Sequence, residues 1–230
     1  MSGILTLVPT PIDDETLLLP STRDLLNKAF LDKDIILMEE IKEGRRRWLR
    51  YGLPREAIET FQLYNEHTRT DILDDIIKSL KSNKNVFLMS DCGLPAFCDP
   101  GQKLVDRCHD LGIKVTSTSF ANSIALAIAL SGFSHERFVF EGFIPANKEL
   151  RTKEIKRLTK QNDVTVIMDT PYRLKKLLDE LAERMPSRRI FLGLDLNQPT
   201  EFLTRGNAQE ILKQLKEFKR EFILILDKIS

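Results

Sequence analysis

Four consecutive apolar residues, Val86 to Met89, run straight into SDCGLPAFCDPG at positions 90–101, and this junction narrows the possible folds more than any other feature. A short apolar run bounded by a Lys/Asn-rich stretch is the pattern of a strand buried on both faces, which belongs to parallel sheets. Gly93, Pro95, Pro100 and Gly101 then interrupt strand pairing. Asp99, Pro100 and Gln102 read as an N-cap, a proline at the first helical position and a polar residue shortly after, so a helix is predicted to follow. Leu104, Val105, Cys108 and Leu111 fall on one face of that helix, with Lys103, Asp106, Arg107 and Asp110 on the others. A strand that ends in a stiff, glycine-containing loop carrying two carboxylates suits a ligand crevice at the carboxyl edge of an α/β sheet, because backbone can approach a ligand closely there. A plain crossover loop draws on the same residue types for conformational reasons, so spacing alone leaves both readings open.

Strand and helix patterns alternate through the first half. Strands are predicted at Ile4–Val8, Ile35–Met38, Val86–Met89 and Lys114–Ser117, and helices at Ser21–Leu31 (opened by a Ser/Thr cap), around Arg45–Tyr51 and at Asp71–Lys81. This order predicts a mostly parallel sheet covered on both faces. Ser123 to Leu130 is apolar on every side, the pattern of a helix buried between layers. The second half is richer in strand: Arg137–Phe143, Val164–Asp169, Arg189–Asp195, Glu201–Thr204 and Glu221–Ile229. Leu174, Leu177, Leu178 and Leu181 stripe one helix between them, and Ile211, Leu212 and Leu215 stripe the last. The short spacing from Asp195 to Glu201 predicts an antiparallel hairpin, hence a mixed sheet. Two α/β domains are expected, residues 1–116 and 120–230.

The chain has 230 residues, long enough to bury roughly 70% of its unfolded surface. Hydrophobic residues at 42% and charged residues at 30% exclude a mainly disordered chain. A formal net charge of only +1 is low for a general polyanion binder, so any polyanion contact depends on a local patch, not on the field of the whole molecule. No apolar stretch approaches membrane-spanning length and MSGILTLVPTP is unlike a signal peptide, so a cytoplasmic location is expected. Cys92, Cys98 and Cys108 lack paired spacing and neighbouring histidines, so no metal site is predicted. His67, His109 and His135 are scattered, and no Ser/His/Asp nucleophile pattern can be drawn from them.

The 90–101 loop resembles the SDAGxPxxSDPG motif of the tetrapyrrole methylase superfamily, in particular its branch of small-subunit ribosomal RNA ribose 2′-O-methyltransferases. LVPTPI at 7–12 is similar to the family's first-strand LVATPIG, and Tyr64-Asn65-Glu66 stands where the family has His-Asn-Glu. RFVFEGFIP at 137–145 resembles RFLFEGFLP, and TVIMDTPYRL at 165–174 is similar to TIIFYESPHRL. The resemblance spans nearly the whole chain. It implies the tetrapyrrole methylase fold, with an N-terminal mostly parallel sheet, a C-terminal mixed sheet and a cofactor cleft between the two domains. It further implies S-adenosylmethionine as cofactor, a ribosomal RNA ribose 2′-hydroxyl as methyl acceptor, the small ribosomal subunit as partner, and a homodimer. A methyltransferase for a small molecule such as a tetrapyrrole is the alternative, as is a non-catalytic paralogue that binds cofactor or RNA.

Carried over by position, the resemblance sets Ile12, Asp91, Gly93 and Leu94 beside the cofactor, places Asn122 and Ser123 at the Ser-Ala of the family's PGPSA turn, and makes Met168 and Leu194 apolar walls. Ordinary core is the other reading of Met168 and Leu194. Glu66 is the candidate general base, since a ribose hydroxyl is a poor nucleophile while protonated; a solvated or helix-capping carboxylate is the other reading. The chain departs from the pattern in several places. Asp13-Asp14 replaces Gly-Asn, Phe120 replaces a glycine, residues 193–198 lack the basic pair of ARELTK, and Glu40-Ile41-Lys42 stands in place of EDTR. These departures imply a divergent member. Arg45, Arg46, Arg47, Arg50 and Arg55 with Trp48 read either as an RNA-facing patch or as a solvated, salt-bridged helix near Glu39, Glu40 and Glu43.

Overall fold

The computed structural model describes residues 2–68, 70–120 and 122–229. Two compact units emerge, Met1–Phe120 and Ala121–Ser230.

In the first unit β1 (Leu5–Val8), β2 (Ile35–Met38), β3 (Gln62–Leu63), β4 (Val86–Met89) and β5 (Val115–Ser117) form one sheet in the order β3-β2-β4-β1-β5, parallel throughout. Alternation along the strands sends side chains to two faces. Val8, Ile36, Met38, Phe87 and Met89 pack with Leu26 and Ala29 of α1 (Pro20–Leu31) and Trp48 of α2 (Ile41–Arg50). Leu5, Leu37, Val86 and Leu88 pack with Ile76, Ile77 and Leu80 of α3 (Leu73–Lys81) and Leu104 and Cys108 of α4 (Gln102–Asp110). Connections that move one way along the strand order therefore lie on one face, and those that move back lie on the other. Right-handed crossovers produce this division.

Two helix starts differ from expectation. α1 opens at Pro20 after Leu19, with no side-chain cap: Thr22 N and Arg23 N donate to Leu19 O at 2.9 and 3.0 Å, and the proline has no N–H to satisfy. α4 is preceded by Gly101 at φ 140°, and Asp99 does not cap it. A Cβ at Gly101 would meet Ala96 Cβ and Leu88 Cδ2, both at 2.8 Å, so the turn needs glycine there.

In the second unit β6 (Phe138–Phe143), β7 (Val164–Met168), β8 (Ile190–Leu194), β9 (Phe202–Gly206) and β10 (Phe222–Leu226) form a mixed sheet in the order β6-β7-β10-β8-β9, with β6 and β7 parallel and the other pairs antiparallel. Ile167, Leu192, Leu194, Phe222 and Leu224 pack with the leucine stripe of α7 (Leu174–Arg184), with Ile155 and Leu158 of α6 (Lys148–Leu158) and with Ala208 and Ile211 of α8 (Ala208–Gln214). α5 (Ser123–Ser131) lies against β8 and β10, and Asn122 Oδ1 caps it by accepting from Ile124 N at 2.8 Å and Ala125 N at 3.2 Å. The expectation that α5 is buried all round is corrected: Ile124, Ala127 and Ile128 are buried, whereas Ala125, Ala129 and Leu130 are exposed. α6 was not anticipated. Its inner face carries Arg151 where an apolar residue would complete the stripe, so helical periodicity is broken in the sequence.

Candidate active site

All five strands of the first sheet are parallel, so their carboxyl ends line one edge. The chain leaves β2 toward β3 and leaves the adjacent β4 toward β5. Adjacent loops that diverge open a crevice between them, the place where open α/β sheets bind ligands. Glu39 and Glu40 follow β2 there, and Asp91 follows β4. They are tied to each other: Glu40 N donates to Asp91 Oδ1 at 3.2 Å, and Asp91 N to Glu39 Oε2 at 3.3 Å.

The 90–101 loop is also fastened to the loop after β1. Thr10 and Gly93 exchange backbone hydrogen bonds of 2.9 and 3.0 Å, Ser90 Oγ donates to Gly93 O at 2.8 Å, and Thr10 Oγ1 donates to Ser90 O at 3.1 Å. Ala96 (φ 64°) and Cys98 (φ 65°) occupy the left-handed region without being glycine. Each such residue costs about 1–3 kcal/mol, a cost that clusters at ligand sites and favours the binding reading over a plain crossover. Burial, together with the charges of Glu39, Glu43 and Glu40, pushes the Asp91 carboxyl up to about 6. Burial, with Glu39 and Asp91 nearby, pushes Asp99 up to about 7. Among the described residues no lysine or arginine offsets either carboxylate. Thr118 Oγ1, past the end of β5, is buried with no hydrogen-bond partner among them. This edge thus holds half-buried negative charge and an orphaned hydroxyl, which fits a ligand with cationic and polar groups. Asp99 was read in the sequence as a helix cap; its membership of this cluster depends on the loop's left-handed residues, which no spacing rule reveals.

Ile12 and Leu94 are half-buried in the loops after β1 and β4, and Ile12 O accepts from Cys92 Sγ at 3.5 Å. A Cβ at Gly93 would meet nothing within 4 Å, so its backbone faces open space. Glu66 is exposed in the turn after β3, where Asn65 Oδ1 accepts from His67 N and Thr68 N. It stands on the same sheet edge as Asp91, two strands away, or roughly 10 Å by strand spacing. In the second unit Asn122 is the cap of α5 and Ser123 its first residue. Met168 ends β7, half-buried, while Leu194 ends β8 with its side chain inside the core, so only its backbone can border a ligand.

The arginine-rich helix follows the salt-bridged reading, with Glu43 as an expected partner and Asp14 as one that was not expected. Arg46, Arg47 and Arg50 approach Asp14 Oδ1 at 2.8, 3.4 and 3.6 Å, and Arg47 also meets Glu43 at 3.1 Å. Trp48 is fully buried, with Nε1 donating to Pro54 O at 2.8 Å, so it offers no ring to a nucleic acid. Asp13 Oδ1 accepts from Glu15 N at 2.7 Å and Thr16 N at 2.6 Å. The Asp13-Asp14 departure is therefore a turn cap followed by an arginine anchor.

No helix among the described residues is long and apolar enough to cross a membrane, and no group of metal-ligating side chains is found among them. The chain is similar to proteins named "Ribosomal RNA small subunit methyltransferase I": 31% identical over 227 residues to that of Bacillus subtilis, covering 98% of this chain and 75% of that protein, and 29% identical to that of Thermotoga maritima, covering 94% of each. Among solved structures, diphthine synthase aligns with a TM-score of 0.70 at 13% identity, over 99% of this chain and 90% of that one. Uroporphyrin-III-C-methyltransferase from Thermus thermophilus aligns at 0.56 and 15%, over 98% and 94%. The profile of the tetrapyrrole (corrin/porphyrin) methylases matches residues 5–212, and with the parallel sheet, its carboxyl-edge loops and the mixed second sheet this means that the chain belongs to the tetrapyrrole methylase family.

Proposed function

We propose that this chain transfers a methyl group from S-adenosylmethionine to a ribose 2′-hydroxyl of small-subunit ribosomal RNA. The observation that carries this reading is the similarity, over 94–98% of the chain, to proteins named for methylation of small-subunit ribosomal RNA. When bound, S-adenosylmethionine supplies an electrophilic methyl group on a positively charged sulfur. Asp91 and Asp99 are suited to its cationic groups, being half-buried carboxylates that no lysine or arginine offsets among the described residues. Gly93 lets the backbone come close, the Thr118 hydroxyl offers a polar contact, and Ile12 and Leu94 give apolar surface. Orientation contributes most of the acceleration, since fixing a nucleophile against a reacting carbon removes much of the entropic barrier. Glu66 accepts the proton of the ribose hydroxyl, a role its exposed place on the sheet edge permits.

Calorimetric titration of the parent and of Asp91→Ala with S-adenosylmethionine tests the cofactor, with binding weakened at least about tenfold in the variant. Labelled methyl transfer to small ribosomal subunits, total RNA and a metabolite extract tests the acceptor. Label in the extract and not in RNA would move the reading to a small-molecule methyltransferase, and binding without transfer would make the chain a binding protein. A ribosomal acceptor sets the reaction in the cytoplasm. We further propose a homodimer, supported by the exposed Phe138 and Phe143 on the edge strand β6; sedimentation velocity with Phe143→Glu checks it.

A further inference from the structure

Inside the second unit, three segments at one end of the mixed sheet enclose an open groove of about 910 Å³: the turn after β7, the β8–β9 hairpin and the stretch leading into β10. Tyr172 stands at its rim with 75% of its surface exposed, while Lys219 Nζ lies 4.8 Å from the centre of its ring. A cation thus lies over the ring while most of the residue stays open to solvent.

The turn that carries Tyr172 is rigidly rooted. Asp169, buried, accepts from Thr170 N at 2.8 Å and from Arg173 Nη1 at 3.0 Å, and its other oxygen meets Arg151 Nη1 at 3.4 Å. Arg151, itself buried, reaches Glu180 at 2.7 Å. The opposite wall is equally fixed. Asp195 Oδ2 accepts from Arg220 Nε at 2.7 Å and from Thr200 Oγ1 at 2.9 Å, and Asn197 N donates to Glu201 Oε2 at 2.8 Å.

Charge separates the possible ligands. Asp195, Glu201, Glu217 and Glu221 face Lys219 and Arg220, so four negative groups against two positive ones leave the groove two charges negative. A groove of that sign cannot serve as a track for a phosphate backbone. It suits the edge of a base, whose N–H groups meet carboxylate acceptors while its plane stacks on an aromatic ring. We propose that this groove seats a single unstacked base of the RNA, with Tyr172 as its stacking platform. The inference rests on the RNA reading above and adds to it the place where a base is held.

The test is fluorescence anisotropy with a short labelled single-stranded RNA, run beside methyl transfer to small ribosomal subunits. Tyr172→Ala weakens binding about tenfold, and Tyr172→Phe, which keeps the ring, restores it to within about twofold. The salt dependence of Tyr172→Ala matches the parent, because stacking releases no counter-ions. The side chain is exposed, and an unchanged thermal unfolding curve verifies that the variant is folded. Parent-like RNA affinity in Tyr172→Ala, with methyl transfer intact, overturns the base site alone. Absence of both RNA binding and methyl transfer in the parent overturns the RNA reading and the base site together. An oligoarginine peptide that loses binding in Tyr172→Ala, while RNA affinity stays unmoved, overturns the base in favour of a basic peptide.

Discussion

At Asp14 one carboxylate oxygen gathers three guanidinium groups, yet they differ in worth. Arg46 is about half exposed, and pairs in such settings contribute little because water and salt screen them. Arg47 is different: its side chain is 8% exposed, it donates from Nη1 to Pro11 O at 2.8 Å, and it pairs with Glu43. It therefore fastens the loop after β1 to α2, and removing it leaves a carbonyl and a carboxylate with fewer partners. Arg47→Met is expected to cost about 2 kcal/mol in urea unfolding, whereas Arg46→Ala leaves the urea midpoint in place. Gly101 makes a second residue-scale case. Its φ of 140° and the 2.8 Å approach of an added Cβ to both Ala96 and Leu88 leave no room for any side chain. Gly101→Ala should lower stability by about 2–3 kcal/mol and weaken cofactor binding as well, since the displaced atoms belong to the loop that carries Asp91 and Asp99. A loss of stability with unchanged affinity would mean that the loop does not shape the site.

Between β2 and β4 the relevant unit is the pair of loops, because Glu39, Asp91 and Asp99 repel one another across them. Asp99 has a folded-state value of about 7 against an ordinary 3.8, so between those limits the folded protein holds a proton that the unfolded chain has lost. Stability accordingly falls as pH rises from about 4 to about 7 and levels off above. Asp99→Asn is expected to flatten that fall and raise the melting temperature at about pH 8. A cationic ligand acts with the opposite sign, since it favours the ionised carboxylates. S-adenosylmethionine should bind more tightly at about pH 8 than at about pH 5, and S-adenosylhomocysteine, which lacks the sulfonium charge, should show a shallower rise. Equal slopes for the two compounds would separate these carboxylates from the sulfonium. The strands that frame the loops were legible from their apolar runs, and Val86–Met89 stands where the pattern put it. α6 was not legible because buried Arg151 interrupts its inner face, and Asp99 was misread because a DPG triplet has the same letters whether the carboxylate caps a helix or turns toward its neighbours. Periodicity reports burial of apolar groups; it is blind to charge that is buried in pairs or clusters.

At the scale of the molecule, each unit has the makings of an independent fold. The first unit's core consists of two layers drawn from residues 5–115, one on each face of a fully parallel sheet. The second unit's core is a single large cluster from residues 144–226, sealed by α6, α7 and α8 over a mixed sheet. Units of 120 and 110 residues lie in the usual size range of single domains, and each encloses apolar side chains in its own layers. Their folding should differ in kind. Parallel strands joined through helices bring together residues far apart in sequence, as in the pairing of β1 with β4 and β5, whereas the β8–β9 hairpin pairs across a short turn. Because closure of long loops precedes their reward, the first unit should refold more slowly than the second. We propose that residues 1–120 and 121–230, produced separately, each unfold in one cooperative transition with an enthalpy of about 75–85 kcal/mol near 60 °C. Differential scanning calorimetry and stopped-flow refolding of the two fragments check both statements. A second fragment that melts without a heat-absorption peak would mean that the cluster sealed by α6, α7 and α8 does not by itself sustain a cooperative fold.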